Sequence, residues 1–136
     1  MEYTLSLHND VQEVPLLATF MDTISEENDM DMELSLNINL AVEEAVVNVM
    51  KYAYPEGTVG EVRVDASVTD GLLTIIITDS GSPFDPTGKE DPDVNLPAEE
   101  RSIGGLGIFL VKQFMDTVDY QHTDGKNILT LVKKIN

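Results

Sequence analysis

Apolar residues recur along this chain in two rhythms, alternation and helical spacing, and their limits mark out the elements. Tyr3, Leu5 and Leu7 alternate with polar neighbours, which predicts a strand with one buried face. Asn9 or Asp10 is placed to cap a following helix, in which Val14, Leu17, Phe20, Met21 and Ile24 recur at helical spacing. Pro15 fits only a first turn, so that helix starts close to it. An acidic break over 26–32 precedes the longest helical pattern, expected from about Glu33 to Tyr54. Its apolar stripe is Leu34, Ile38, Ala41, Val42, Ala45, Val49 and Ala53, and Pro55 and Gly57 end it.

Val62, Val64, Ala66 and Val68 alternate again, and Thr69-Asp70-Gly71 is a hairpin signal. The run from Leu72 to Thr78 is β-branched and nearly all apolar, which predicts a central strand buried on both faces and paired antiparallel with the run before it. From Ser80 to Gly107 the periodicity dissolves into prolines and glycines, over a span too long for an ordinary connection. Ile108, Val111, Phe114 and Met115 then mark a helix, and Val118 to Thr123 with Ile128 to Ile135 form a last hairpin around Asp124-Gly125. The class is α+β, with helices stacked on one face of a mostly antiparallel sheet.

A chain of 136 residues, 42% hydrophobic, is the size of one domain, 1–136, with a real core. It has no cysteine, which excludes disulfides, thiolate metal sites and thiol nucleophiles. Eight basic against 25 acidic residues give a formal charge of -17, a field that repels nucleic acid and anionic lipid and would attract a basic protein. A bound nucleotide would need Mg²⁺ and backbone N–H donors to offset that field. No run is long and apolar enough to cross a bilayer, and a cytoplasmic location is the expectation.

Three constellations carry candidate chemistry. Glu44 and Asn48 lie four apart on the long helix and so share one side of it. A carboxylate can orient a nucleophile or accept its proton, and an amide oxygen can coordinate Mg²⁺, although such pairs are common on solvated helix faces. Asp79 ends the central strand and Gly81 follows; the carboxylate could accept a hydrogen bond from a ring amino group while Gly81 lets backbone approach, or the pair could be a plain Asx turn. Ser102 to Phe109 includes Gly104, Gly105, Leu106 and Gly107 before a helix, where free N–H groups can hold phosphate; a flexible hinge is the plain alternative. The run is neither a Walker loop nor a convincing Rossmann fingerprint. Neither His8 nor His122 has the setting of a phosphoacceptor or of a Ser-His-acid hydrolase.

In their order, Glu44-x-x-x-Asn48, Asp79-x-Gly81 and Gly105-x-Gly107 resemble the GHKL superfamily, which includes gyrase-type topoisomerases and sensor histidine kinases. Within it the chain is most similar to the anti-sigma-factor serine kinases, through Glu43 to Tyr54, Asp79 to Pro86 and Gly104 to Val111. Tyr52 stands where those relatives often carry His, and Val49 where they carry Ala.

The resemblance implies a two-layer Bergerat fold, a mostly antiparallel mixed sheet with helices on one face and an ATP lid over about 82–103. It implies ATP and Mg²⁺ as ligands, with Glu44 as base or orienting carboxylate and Asn48 as the metal ligand. By the same likeness Asp79 and Gly81 take adenine, and Gly104, Gly105, Leu106 and Gly107 take the phosphates. Arg101, at the lid's end, is placed for the transferring phosphoryl group or is a solvated lid residue. Lys51 could face phosphate, or be an ordinary helix-surface lysine. The implied activity is transfer of the γ-phosphate to a Ser of an anti-anti-sigma-type antagonist, with a sigma factor as a second partner. A homodimer is expected because the relatives dimerise. Two other functions stay open: a non-catalytic ATP/ADP-dependent partner switch, and a detached domain that phosphorylates histidine on another protein.

Overall fold

The computed structural model describes residues 2–55, 57–83 and 105–135. The expected lid, with Arg101 and Gly104, lies outside the described residues apart from Ser82 and Pro83.

Five strands, β1 (Glu2–His8), β2 (Glu61–Thr69), β3 (Leu72–Asp79), β4 (Thr117–Thr123) and β5 (Lys126–Lys134), form one sheet in the order β1-β2-β3-β5-β4. All four ladders are antiparallel, so the parallel pairing that a mixed sheet would contain is absent among the described strands. Asp70 and Gly71 have φ of 53° and 78°, and Asp124 and Gly125 have 53° and 75°. Two successive left-handed residues make the turn whose twist matches the flanking strands, which is why each Asp-Gly pair closes a hairpin.

Helices α1 (Val14–Glu27), α2 (Met32–Tyr52) and α3 (Gly105–Phe114) complete the described fold. Asp10, not Asn9, makes the first cap: its carboxylate accepts the N–H of Gln12 ahead of α1. Asn9 instead bridges to the approach of β2, donating to the Thr58 carbonyl at 2.6 Å and accepting from the Gly60 N–H at 2.9 Å. Helix α1 runs through Glu27, which shortens the acidic break to the few residues before Met32. Asp31 caps α2 by accepting from the Leu34 N–H at 2.8 Å. Met115 leaves α3, and Asp116 accepts the N–H of Lys134 at 2.6 Å, which ties that exit to β5.

Alternation places Leu7, Val62, Val64, Leu73, Ile75, Ile77, Leu129 and Leu131 on one sheet face, all buried. Against them packs α2 through Ile38, Ala41, Val42, Ala45, Val46, Val49 and Met50. The row containing Val46 and Met50 is additional to the expected stripe, because α2 is flanked by α1 and α3 as well as the sheet. The expectation that Leu72 to Thr78 is buried on both faces is corrected: Thr74, Ile76 and Thr78 are only half-buried. The strand is central, yet the described helices cover only one of its faces, so Ile76 on its far side has no described helix over it.

Candidate functional site

Helix α2 stops at Tyr52, short of the expected Tyr54, as the restriction on residues before a proline requires with Pro55 ahead. Tyr54 turns out of the helix and becomes a strut. Its hydroxyl donates to the Glu61 carbonyl at 2.6 Å and accepts the Ser80 N–H at 2.9 Å. The ring lies against Gly60, where a Cβ would stand 2.2 Å from Tyr54 Cε1. One side chain therefore fixes the end of α2 to the start of β2 and the exit of β3.

The exit of β3 carries Asp79, 3% exposed and on the helix-facing side of the sheet. Gly81 follows, and its N–H donates to Asp79 Oδ1 at 2.8 Å. The next N–H, from Ser82, donates to the Ala53 carbonyl at 2.7 Å. A Cβ on Gly81 would lie 2.2 Å from that same carbonyl oxygen, so only glycine permits this approach of β3's exit to the end of α2. Gly81→Ala is expected to lose about 2–3 kcal/mol of stability, read by urea unfolding, because the obstacle is backbone and cannot swing away.

Sequence reasoning missed Asn127, the second buried polar group here, also 3% exposed. It pairs with Asp79 across the β3–β5 ladder and donates from Nδ2 to Asp79 Oδ1 at 2.9 Å and to the Ser82 carbonyl at 2.8 Å. Its Oδ1 accepts the Tyr120 hydroxyl and lies 3.2 Å from His122 Nδ1. His122 thus belongs to this network. The strand was expected to begin at Ile128; carrying the Leu131, Leu129 alternation back one more step would have put Asn127 on the core face. Burial pushes the Asp79 carboxyl up from the usual carboxylate range, opposed first by the Asn127 donation and then by Gly81.

On α2, Asn48 is buried at 7% exposure and Glu44, one turn earlier, is half-buried. Asn48 is therefore not a solvated helix-face residue, whereas Glu44 keeps partial exposure and Lys51 is exposed. Among the described residues the Asn48 amide nitrogen is buried without a hydrogen-bond partner. An orphaned amide in a helix carries a desolvation penalty that an arriving ligand can relieve. Mg²⁺ is commonly held by one or two protein oxygens plus substrate phosphates, and the Asn48 amide oxygen is a hard donor of that class. Among the described residues no group of three or more His, Asp or Glu could cage an ion alone.

Helix α3 packs against α2 and begins at Gly105, so Gly105, Leu106 and Gly107 form its first turn, where they were expected just ahead of a helix. The shift keeps their N–H groups among those without intrahelical acceptors, which is the property phosphate binding needs.

A family model described as the histidine kinase-like ATPase domain matches residues 7–133. The serine-protein kinase RsbW of Listeria monocytogenes is 31% identical over 98% of this chain and 87% of its own length. The serine/threonine-protein kinase BtrW of Bordetella bronchiseptica is 26% identical over 93% of this chain and 94% of its own. Among solved structures, the RsbU and RsbW domains of Rv1364c from Mycobacterium tuberculosis superpose with a TM-score of 0.72 at 15% identity, covering 99% of this chain and 32% of that longer one. A blue-light activated histidine kinase domain from Erythrobacter litoralis gives 0.55 at 22% identity, over 76% of this chain and 45% of the other. With its antiparallel sheet, one helical layer and motifs in this order, the chain belongs to the histidine kinase-like ATPase family, among the relatives of the serine-protein kinases.

Proposed function

We propose that this chain is an ATP-dependent protein serine kinase of the anti-sigma-factor type, and that it phosphorylates a Ser of a small antagonist protein. The observation that carries the proposal is the buried Asp79 carboxylate, fixed by Gly81 and Asn127 at the exit of β3, which Ser82 ties to the end of the helix bearing Glu44 and Asn48. Asp79 would accept the adenine amino group, and the first turn of α3 would take the phosphates with its free N–H groups. Asn48 would hold Mg²⁺, which supplies charge neutralisation between the phosphates when bound.

The acceptor hydroxyl attacks the γ-phosphorus. Its oxygen forms the new P–O bond, the bond to the β–γ bridging oxygen breaks, and ADP leaves with that electron pair. Glu44 takes the hydroxyl proton. Arg101 would stabilise the transferring charge. Among the described residues no helix is long and apolar enough to cross a membrane. By the resemblance to anti-sigma-factor kinases, we extend the proposal to a sigma factor held when the antagonist is phosphorylated and to a dimeric state.

The test is incubation with γ-labelled ATP, Mg²⁺ and a candidate antagonist. Label that survives acid and is released by alkali supports a phosphoserine. An acid-labile product would mean histidine phosphorylation, and intact ATP beside nucleotide-dependent partner exchange would mean a pure switch. Asn48→Ala is expected to lose most of the Mg²⁺ dependence of ATP binding, and affinity at saturating Mg²⁺ should fall about tenfold in calorimetry.

A further inference from the structure

Asn127, the second residue of β5, stands directly across from Asp79, and its amide orientation is dictated by its neighbours. Reversing it would set the amide oxygen against a carboxylate and a carbonyl, so Nδ2 must face Asp79 and Ser82 while Oδ1 faces Tyr120 and His122. Nδ2 therefore donates to the same carboxylate oxygen, Oδ1, that receives the Gly81 N–H. Two donors on one oxygen pin the plane of the carboxylate. Asp79 Oδ2 accepts no bond among the described residues and is left as an acceptor.

We infer that Asn127 is a positioning residue for base selection, holding Asp79 as an acceptor so that a 6-aminopurine nucleotide is taken in preference to a 6-oxopurine one. The inference rests on the nucleotide reading above. Without the Asn127 donation, the buried carboxyl is free to turn and to take up a proton. A protonated Asp79 would donate to a 6-oxo group, which is the reverse of what an adenine amino group needs. Burial already favours the protonated form, and Asn127 is the foremost influence opposing it.

The experiment titrates the full chain with ATP and with inosine triphosphate at fixed Mg²⁺, for wild type, Asn127→Asp and Asn127→Ala. Asn127→Asp keeps the shape and the acceptors for Tyr120 and His122 but removes the donation to Asp79. The alanine variant carries the test should the paired carboxyls prevent folding, which thermal melting shows. The preference for ATP over inosine triphosphate is expected to fall by about tenfold or more in either variant, the size of one lost charged hydrogen bond. Equal weakening of both nucleotides, with the ratio unchanged, would overturn the inference, since a residue that only props up the fold affects both alike. Equal binding of the two by wild type would sink the adenine role of Asp79 itself, and this inference with it.

Discussion

Glu44→Gln is expected to cut phosphoryl transfer to the antagonist by about 10²–10⁴-fold while ATP affinity stays within about threefold. The substitution keeps the shape of a half-buried side chain on α2 and removes only its capacity to accept the acceptor's proton. Single-turnover transfer of labelled phosphate measures the rate, and calorimetry with Mg²⁺-ATP measures binding. A variant that transfers at wild-type rate would remove Glu44 from the chemistry and leave positioning and charge neutralisation to account for catalysis. A variant that also fails to bind would mean that Glu44 builds the site and does not act as a base.

Asp79→Asn should separate binding from stability in opposite directions. ATP affinity is expected to fall by about 100-fold, because the amide's donor would face the ring amino group and leave two donors opposed in a buried pocket. Stability at pH 7 should rise, by about 1 kcal/mol, since the neutral side chain escapes the desolvation of a buried carboxylate. The sign follows from the direction of the shift. The Asp79 carboxyl sits above its usual range when folded, so the folded state favours the proton. Its contribution is most favourable at low pH and is lost as pH rises from the unfolded value through the folded one. A urea-unfolding series across that range should show the decline in wild type and its absence in the variant. Loss of both stability and binding would mean that the Asn127 and Gly81 donations to a charged oxygen outweigh burial.

These expectations separate what was legible along the chain from what was not. The alternation in β1 and β2, the two Asp-Gly turns and the stripe on α2 were legible because each is a local rule: periodicity selects the face, and a left-handed pair selects the turn. The order of Glu44-Asn48, Asp79-Gly81 and the glycine run was legible for the same reason, and it carried the family.

Other features needed distant segments to meet. Leu72 to Thr78 reads as doubly buried, yet only the layer arrangement decides that the described helices cover one of its faces. Gly81 looks like any turn glycine until Ala53, far back in sequence, brings its carbonyl to where a side chain would be. Tyr54 looks like the tail of a helix stripe, and becomes a strut only because Glu61 and Ser80 converge on its hydroxyl. Asn127 is the clearest case. The sequence by itself determined the candidate residues and a last hairpin over Val118 to Thr123 and Ile128 to Ile135. The antiparallel register of β3 and β5, a pairing between segments far apart in sequence, decided that a buried amide would stand against Asp79 and bond to its Oδ1.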